Sequence, residues 1–229
     1  MNSEVKIYVA TKKHLDYVDT ILHTISEAAK IRGTGIAKRN PEYVKERILS
    51  GKAIIALTSS EEFAGFCYIE SWGHDKFVAN SGLIVANKFR GQGLARKIKA
   101  KAFELSRTKY PKAKIFGLTT GLAVMKINSE LGYKPVTFSE LTDDEQFWKG
   151  CQSCVNYDIL LRTKRKHCLC TGMLYDPDKE RPNSKKPLPQ TKLKVYDRWL
   201  KFKRFVFLKG NNKESKKKSL LRKITGIFN

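Results

Sequence analysis

Residues 78–95 read Val-Ala-Asn-Ser-Gly-Leu-Ile-Val-Ala-Asn-Lys-Phe-Arg-Gly-Gln-Gly-Leu-Ala, and this stretch indicates the fold of the chain. An apolar strand runs into a turn that contains Arg90, Gly91 and Gly93, and a long helix with one apolar side follows directly. The first N–H groups of a helix have no partner within it, and the helix dipole adds positive potential at the same end. Glycines let the backbone approach an oxyanion closely, and Arg90 adds a cation. The stretch therefore predicts a site for a phosphorylated cofactor.

Two common phosphate-binding motifs do not fit this turn. The dinucleotide fingerprint G-x-G-x-x-G requires a third small residue where Arg96 stands, and it usually opens a domain. The Walker A pattern requires Gly-Lys-Ser/Thr after four variable residues, and the chain contains no such run. The remaining pattern, Arg90-x-x-Gly93-x-Ala95, resembles the R/Q-x-x-G-x-G/A motif of the GNAT superfamily, the acetyl-CoA-dependent N-acetyltransferases. An ordinary strand–turn–helix connection is the alternative that the motif alone leaves open.

The predicted elements around the motif follow a characteristic order. Apolar residues at helical spacing predict a helix over residues 13–32, and Pro41 suits the first turn of a second helix. The order β-α-α-β-β-β-α-β-α-β-β resembles the whole GNAT fold over residues 4–163. The resemblance implies an α/β (α+β) fold with a central mixed and splayed β-sheet flanked by helices, here with a basic C-terminal extension. Strands are predicted at residues 5–9, 53–57, 63–71, 77–85, 114–119, 133–137 and 157–161, and the further helices at 41–49, from 94 onward and at 123–131.

A closer resemblance lies in residues 117–133, which read Gly-Leu-Thr-Thr-Gly-Leu-Ala-Val-Met-Lys-Ile-Asn-Ser-Glu-Leu-Gly-Tyr. They resemble a bacterial GNAT subgroup linked to arginine biosynthesis, of the N-acetylglutamate-synthase type. This implies an N-acyltransferase that uses acetyl-CoA, or another acyl-CoA, to acylate the amino group of a small molecule such as glutamate, by direct transfer in a ternary complex. The alternatives are a protein or polyamine N-acetyltransferase, and a CoA-binding regulatory protein whose basic tail contacts nucleic acid.

The charge of the chain is unevenly distributed along its 229 residues, with a formal net charge of +23. Residues 181–229 contain 16 Lys and Arg against 2 Asp and Glu, a net charge of +14, and they begin with a proline-rich segment. The predicted organisation is a GNAT domain over residues 1–165, a cysteine-containing extension over 166–180 and a basic, partly helical tail over 181–229. No apolar run matches a signal peptide or a transmembrane segment, so a cytoplasmic location is expected.

The basic tail contains a predicted amphipathic helix at residues 192–208. Basic residues interleaved with aromatic residues are typical of segments that bind nucleic acid or an anionic membrane surface. The alternative is a helix that packs on the domain, followed by a solvated terminus, because runs of charge alone are weak signals. A homodimer is also compatible with the sequence.

Four of the five cysteines form two close pairs, Cys151-x-x-Cys154 and Cys168-x-Cys170. In a reducing compartment, paired cysteines indicate zinc more than disulfides, and four thiolates suit a closed tetrahedral structural site. The second pair departs from the commoner C-x-x-C spacing. Two alternatives remain: one structural zinc ion held by all four cysteines, or four reduced cysteines near a subunit or tail interface.

The resemblance also implies which residues bind the cofactor. In GNAT enzymes the amides of the turn hold the CoA pyrophosphate, and a backbone N–H of the preceding strand binds the thioester carbonyl. That N–H maps to Val85 or to a neighbour such as Ile84, and a donor fixed there stabilises the oxyanion that develops as the amine attacks. The implied cofactor-binding residues are Ile84, Val85, Arg90, Gly91, Gln92, Gly93, Leu94 and Ala95.

Acetyl transfer further requires a base that deprotonates the incoming ammonium, directly or through water. The candidates are Glu70, at the end of a predicted strand, and His74 in the following turn, with a surface or turn role as the alternative for both. Many GNAT enzymes protonate the leaving thiolate with a tyrosine, and Asn128 stands at the corresponding position here. Asn128 cannot act as an acid, so Ser129 or water substitutes, or the thiolate leaves without dedicated help.

The connection between the first two helices shapes the substrate pocket in this fold. Here it contains Arg32, Lys38 and Arg39 on a loop with glycines. These cations predict a clamp for a carboxylate, with arginine as the better bidentate partner. A basic surface loop that only contributes to solubility is the alternative. With the clamp, the predicted acceptor is a free amino acid with an acidic side chain.

Overall fold

The computed structural model describes residues 4–32 and 38–180, which form a seven-stranded mixed sheet with helices on both faces. The strand order is β1-β2-β3-β4-β5-β7-β6. The predicted α/β class and its central mixed sheet are confirmed. The strands are β1 (Val5–Val9), β2 (Ala53–Thr58), β3 (Phe63–Trp72), β4 (Phe77–Val85), β5 (Lys114–Thr119), β6 (Lys134–Val136) and β7 (Thr171–Tyr175), and the helices are α1 (Val18–Arg32), α2 (Pro41–Leu49), α3 (Leu94–Lys109), α4 (Leu122–Glu130), α5 (Glu145–Lys149) and α6 (Tyr157–Arg162).

The sheet is split between β4 and β5. The first four strands form an antiparallel meander, whereas β4 and β5 run parallel and are connected through α3, because a parallel pair requires a crossover. Only three residue pairs join these two strands, from Phe77↔Lys114 to Ala79↔Phe116. Beyond the last pair the strands separate. The C-terminal halves of β4 and β5 therefore border an open split, as expected for a splayed sheet.

Each face of the sheet carries its own apolar core. Helices α1 and α2 bury Ile21, Val44 and Ile48 on one face, and α3 buries Ile98 and Ala102 on the other. Strand β2 is buried along its whole length because helices cover both of its faces. Each fully buried Val or Ile side chain contributes ~1.5–3 kcal/mol. This packing fixes the register of the central strands and so holds the split in place.

The strand expected at residues 157–161 is wrong, because Tyr157–Arg162 forms helix α6. The remaining strand is instead β7, which lies between β5 and β6 and pairs with both. Leu160 is buried and Leu161 is exposed, so the short apolar run has one buried side, as in an amphipathic helix. Periodicity in so short a run does not distinguish a strand from a helix. Residues 166–180 thus contribute a strand to the sheet.

The other elements predicted within residues 4–32 and 38–180 are present, with small shifts at their ends that are ordinary for such boundaries. The beginning of the helix predicted over residues 13–32 is a 3₁₀ helix, Lys12–Tyr17, and α1 follows it. The helix predicted at residues 192–208 and the rest of the basic tail lie outside the described residues. Within residues 4–32 and 38–180, no helix combines the length and apolar character that crossing a membrane requires.

Candidate active site

The turn between β4 and α3 has the geometry of an anion cradle. Gly91 and Gly93 adopt positive φ angles of 78° and 74°, a region that residues with a Cβ rarely enter. A Cβ added to either glycine would meet no atom within 4 Å, so the space above the turn is open. Arg90 lies at the start of the turn, and its Nε donates to the carbonyl oxygen of Val85 at 3.1 Å. This bond ties the turn to the end of β4.

The backbone donors of this turn are available to a ligand. Among the described residues, no hydrogen-bond acceptor contacts the N–H groups of residues 91–95. The first turn of α3 also contains no acidic side chain that would occupy them. Five consecutive N–H groups at the positive end of a helix bind phosphate oxygens well. Residues 90–95, which the sequence predicts to bind the pyrophosphate, therefore lie on one contiguous turn whose N–H groups at 91–95 have no acceptor among the described residues.

A β-bulge lies in β4, next to the split. Tyr68 of β3 pairs with Ser81, but Phe66 pairs with Ile84, so β4 contains one extra residue in this interval. Gly82 permits the bulge with a φ of 66°, and a Cβ there would lie 2.5 Å from Tyr68 Cε1. A bulge leaves the extra residue unpaired with the neighbouring strand. The predicted oxyanion donors, the N–H groups of Ile84 and Val85, directly follow it. A glycine inside a strand was the signal that could have predicted this feature.

One cavity of about 390 Å³ passes through the split and connects the two faces of the sheet. On the α1–α2 face it is lined by Arg39, Tyr43 and Glu70, and on the α3–α4 face by Lys99 and Asn128. Residues 79–84 of β4 and 116–119 of β5 line it between these two faces. A ligand that approaches from the α3 side can therefore meet a second ligand that approaches from the α1–α2 side.

Glu70 lies in this cavity within a network of hydrogen bonds. It is opposite Ala79 in the sheet, next to the start of the split, and only 7% exposed. The Tyr43 hydroxyl donates to its Oε2, and Arg47 Nη2 lies 3.1 Å from its Oε1. Burial raises the pKa of Glu70 above its usual value, against the opposing effects of Tyr43, Arg47 and Arg39. A carboxylate with this environment is a more effective proton acceptor than one in water.

The loop between α1 and α2 contributes two of its three predicted substrate-binding residues to the same cavity. Arg39 and Lys38 both line it, and Arg39 Nε donates to the Tyr68 hydroxyl at 2.7 Å. The backbone N–H of Lys38 donates to Ser153 Oγ at 3.0 Å, which joins the loop to the C-terminal part of the fold. Arg32 is the last residue of α1, and its side chain lies outside the described part of the structure.

The other two predicted catalytic residues, His74 and Asn128, differ from each other in their surroundings. His74 is exposed in the turn between β3 and β4, has a positive φ of 55°, and does not line the cavity. Asn128 is only 1% exposed and lines the cavity from α4. Its Oδ1 is buried with no hydrogen-bond partner among the described residues. Ser129, the residue considered as a substitute acid, is exposed and does not line the cavity.

Lys99 is a cavity residue that the sequence interpretation missed. It is only 2% exposed, on the buried side of α3. The available signal was its position, because it follows Ala95 by four residues and precedes Ala102 by three, on the apolar stripe of the helix. Lysine is rarely buried without a partner, so a lysine on such a stripe marks a site worth examining.

The four paired cysteines come together beside the cavity, but not in an arrangement that holds a metal. Cys151, Cys154 and Cys170 line the cavity. Burial, followed by the neighbouring thiols, raises the pKa of Cys151 to about 11 and that of Cys170 to about 12. Within the described residues, no group of three or more His, Cys, Asp or Glu side chains is placed to bind a metal ion. The predicted zinc site is therefore not supported, and all four are free cysteines.

Solved structures with the same arrangement of elements are GNAT acetyltransferases. N-Acetylglutamate synthase from Neisseria gonorrhoeae, in complex with coenzyme A and N-acetyl-glutamate, matches 77% of this chain with a TM-score of 0.54 and 14% identity. The match spans only 36% of the synthase, about a third of its length. A Mycobacterium tuberculosis protein in complex with CoA matches 75% of this chain and 98% of its own, with a TM-score of 0.54 and 15% identity.

A GNAT-family acetyltransferase from Staphylococcus aureus matches 62% of this chain and 92% of its own, with a TM-score of 0.52 and 13% identity. No family model matches the sequence, and no curated protein matches it either. At these identities the similarity concerns the fold. The splayed sheet and the glycine turn before α3 agree with the resemblance found in the sequence. This chain therefore has the fold of the GNAT N-acetyltransferases.

Proposed function

We propose that this protein is an acyl-CoA-dependent N-acyltransferase that acts on the amino group of a free amino acid. The observation that carries the proposal is the run of N–H groups at residues 91–95, which have no acceptor within residues 4–32 and 38–180, beside a split that opens into a cavity with Glu70 and Arg39. The first feature suits the pyrophosphate of CoA, and the second suits an acceptor with both an ammonium and a carboxylate group.

The donor would lie along the split. Residues 90–95 would hold its pyrophosphate, and the pantetheine arm would run between the separated halves of β4 and β5, where strand-like backbone groups are available. The backbone around the bulge at Gly82 would then face the thioester. An N–H from Ile84 or Val85 would stabilise the oxyanion, because a fixed donor acts only where negative charge develops.

The reaction needs one proton acceptor and one leaving group. In the proposed reaction the amine nitrogen attacks the thioester carbonyl, a C–N bond forms, the C–S bond breaks, and CoA leaves as the thiolate. Glu70 would take the proton from the acceptor ammonium, directly or through water. The Asn128 amide cannot supply a proton, but it can donate a hydrogen bond to the departing sulfur. The thiolate would then take its proton from solvent.

The acceptor is proposed to be an amino acid with an acidic side chain, such as glutamate. Arg39 and Lys38 place two cations on the α1–α2 side of the cavity, and Glu70 provides an anion for the ammonium. The N-acetyl-glutamate bound to the Neisseria synthase supports this choice for the present chain. We propose direct transfer in a ternary complex, and the support for it is that one cavity is lined by residues from both faces of the sheet.

A thiol-release assay tests the proposal. Purified protein is mixed with acetyl-CoA, succinyl-CoA or butyryl-CoA and with a panel of amino acids, polyamines and lysine peptides, and free CoA thiol is measured. Turnover is expected with glutamate or aspartate. Preference for polyamines or lysine peptides would overturn the acceptor, and tight CoA binding without any turnover would overturn the catalytic role.

A further inference from the structure

Lys99 is a buried cation at the closed end of the split, which is the end where β4 and β5 still pair, next to Ala79 and Phe116. A Cβ on Gly117 would lie 3.8 Å from Lys99 Nζ, and Gly117 directly follows Phe116, the last β5 residue that pairs with β4. The Nζ is also 5.4 Å from the centroid of the Tyr133 ring. Lys99 lines the cavity. The ammonium therefore lies where the two strands part, at the deepest point of the split.

Among residues 4–32 and 38–180, no carboxylate forms an ion pair with this cation. Within residues 4–32 and 38–180, Lys99 Nζ makes no hydrogen bond and no ion pair. The buried Cys67 thiol interacts electrostatically with Lys99, but burial raises the pKa of Cys67 to about 11, so at pH 7 it supplies no negative charge. Two further polar groups in this region bond to each other and to Ser106, because Tyr133 donates to Asn80 Oδ1 at 2.9 Å and Asn80 Nδ2 donates to Ser106 Oγ at 2.8 Å. Glu70, across the sheet, is already bonded to Tyr43 and Arg47. A buried ammonium without a partner is costly, so the site lacks an anion.

A second buried group on the same side of the sheet also lacks a partner. Asn128 Oδ1, from α4, is buried without a donor among the described residues, and Asn128 lines the same cavity. At neutral pH the lysine still carries charge, because burial lowers its pKa only to about 8. Of these two groups only Lys99 can pair with an anion, because Asn128 Oδ1 is itself an acceptor, and Lys99 faces a space that Gly117 leaves without a side chain.

The position of Lys99 selects which part of a bound ligand it meets. The phosphate turn lies at the open end of the split, at the start of α3, whereas Lys99 lies at the closed end. A CoA thioester that is anchored by its pyrophosphate extends its acyl group furthest from that anchor. With the pyrophosphate held at the open end, the end of the acyl chain is the part of the donor that lies nearest to the closed end, where Lys99 is.

We propose that Lys99 binds a carboxylate at the end of the donor's acyl group, so that the preferred donor is a dicarboxylic acyl-CoA of the succinyl type rather than acetyl-CoA. This inference rests on the proposed N-acyltransferase function. The carboxylate takes no part in the bond changes; it pairs with the ammonium and positions the thioester carbonyl against the bulge in β4. Gly117 provides room for the additional carbons of such a chain.

Donor competition tests the proposal directly. The specificity constant kcat/KM is measured for succinyl-CoA and for butyryl-CoA, which has the same number of acyl carbons but no charge, at a fixed acceptor concentration. The wild type is expected to prefer succinyl-CoA by ~10-fold or more, because a buried charge-assisted contact is worth this much. Equal use of the two donors by the wild type would overturn the proposal without any variant.

Two variants separate the subsite from general effects. Lys99→Met is expected to lower kcat/KM for succinyl-CoA by ~10- to 100-fold and to leave butyryl-CoA within ~3-fold, since Met keeps the length and removes the charge. Lys97→Met, at an exposed position of the same helix, is expected to change neither. An equal loss with both donors would mean a structural role, and a raised KM for the acceptor with unchanged donor preference would assign Lys99 to the acceptor. Either result overturns the proposal.

Binding measurements keep the two proposals apart. Calorimetry of succinyl-CoA and butyryl-CoA without an acceptor reports the subsite even if no acceptor is ever turned over. Tighter binding of succinyl-CoA, lost in Lys99→Met, would support the subsite while the absence of turnover contradicted the enzymatic function. Turnover with every donor at equal efficiency would instead support the enzyme and reject the subsite.

Discussion

At the scale of single residues, Glu70 is the cavity carboxylate that the proposed chemistry uses. Its raised pKa means that it becomes protonated at a higher pH than an ordinary glutamate. Because a base must be deprotonated, kcat/KM should fall as pH decreases through this raised pKa. Glu70→Gln should lower kcat/KM by ~10²- to 10⁴-fold and remove this acidic limb. The measurement is a pH profile of kcat/KM for both proteins.

A nearby glutamate provides the control for this variant. Glu46 also pairs with Arg47, with 3.2 Å between Arg47 Nη2 and Glu46 Oε2, but it is exposed and does not line the cavity. Glu46→Gln should therefore retain the rate near neutral pH and an acidic limb, which should move to slightly lower pH because Glu46 contributes to the raised pKa of Glu70. An acidic limb that persists in Glu70→Gln would assign the base to another group.

The burial of Lys99 also predicts how stability depends on pH. Its pKa is about 8 in the folded state and 10.5 when exposed, so between these values the unfolded chain binds a proton that the folded chain lacks. Wild-type stability should consequently rise with pH across this interval. At pH 7 Lys99→Met should increase the free energy of unfolding by roughly 1–3 kcal/mol, and the gain should shrink toward pH 10.

Urea denaturation at a series of pH values checks this expectation, with Lys97→Met as the exposed control. A gain in stability that stays constant with pH would reflect better packing of Met rather than removal of a buried charge. Lower stability of Lys99→Met at pH 7 would contradict the expectation, and would mean that Lys99 has a stabilising partner in the folded protein.

At the scale of secondary-structure elements, the β4–turn–α3 unit carries the cofactor site. Gly93→Val would put a branched side chain into the open space above the turn and force valine into a left-handed φ of 74°. CoA binding should weaken by at least ~100-fold, because the phosphate and the side chain would compete for the same volume. Isothermal calorimetry with CoA measures the loss.

Backbone strain alone must be separated from this effect. Gly51 has a comparable φ of 61° in the turn between α2 and β2, and a Cβ there would meet only Lys109 Nζ, at 3.8 Å. Gly51→Val therefore imposes similar strain at a position outside the cavity lining. It should lose stability but keep CoA affinity. Equal CoA affinity in Gly93→Val and the wild type would show that the turn does not bind the pyrophosphate.

The bulge in β4 gives a second expectation at this scale. A Cβ at Gly82 would lie 2.5 Å from Tyr68 Cε1, and the φ of 66° is itself unfavourable for other residues. Gly82→Ala should cost ~1–3 kcal/mol of stability through strain and overpacking. It should also lower kcat more than it raises the KM for CoA, since the oxyanion donors follow the bulge while the phosphate turn is separate. Steady-state kinetics and thermal unfolding test the two parts.

At the scale of the whole molecule, the cavity joins two binding regions on opposite faces of the sheet. Arg39→Ala should raise the KM for an acidic amino acid by ~10- to 100-fold, because a buried carboxylate would lose a paired donor. Arg39→Lys should restore only part, since lysine cannot form the planar fork. The KM for the acyl-CoA should stay nearly unchanged, because residues 90–95 lie on a different element. Initial-rate kinetics with both substrates varied should give intersecting lines, as expected for a ternary complex.

Much of the fold followed from the sequence because the relevant signals are local. The glycine turn, the apolar stripe of α3 and the runs of β2, β3 and β4 each depend on neighbouring residues, and their order indicated a splayed mixed sheet. The cofactor turn was located in the same way, since a helix N-terminus with glycines has its donors wherever the helix packs. The short run at residues 157–161 lacked such a signal, because its periodicity does not distinguish a strand from a helix, and in the structure it is a helix with Leu160 buried and Leu161 exposed.

The cavity, by contrast, was decided by the tertiary structure. Glu70 and His74 are four residues apart and similar as candidate bases, but β3 carries Glu70 into the split and the following turn leaves His74 exposed. Lys99 becomes a buried cation only because α3 crosses the point where β4 and β5 separate. The four cysteines meet only because β7 returns to the sheet, and their arrangement does not suit a metal. Sequence spacing determined the elements, and long-range packing determined which side chains share one low-dielectric space.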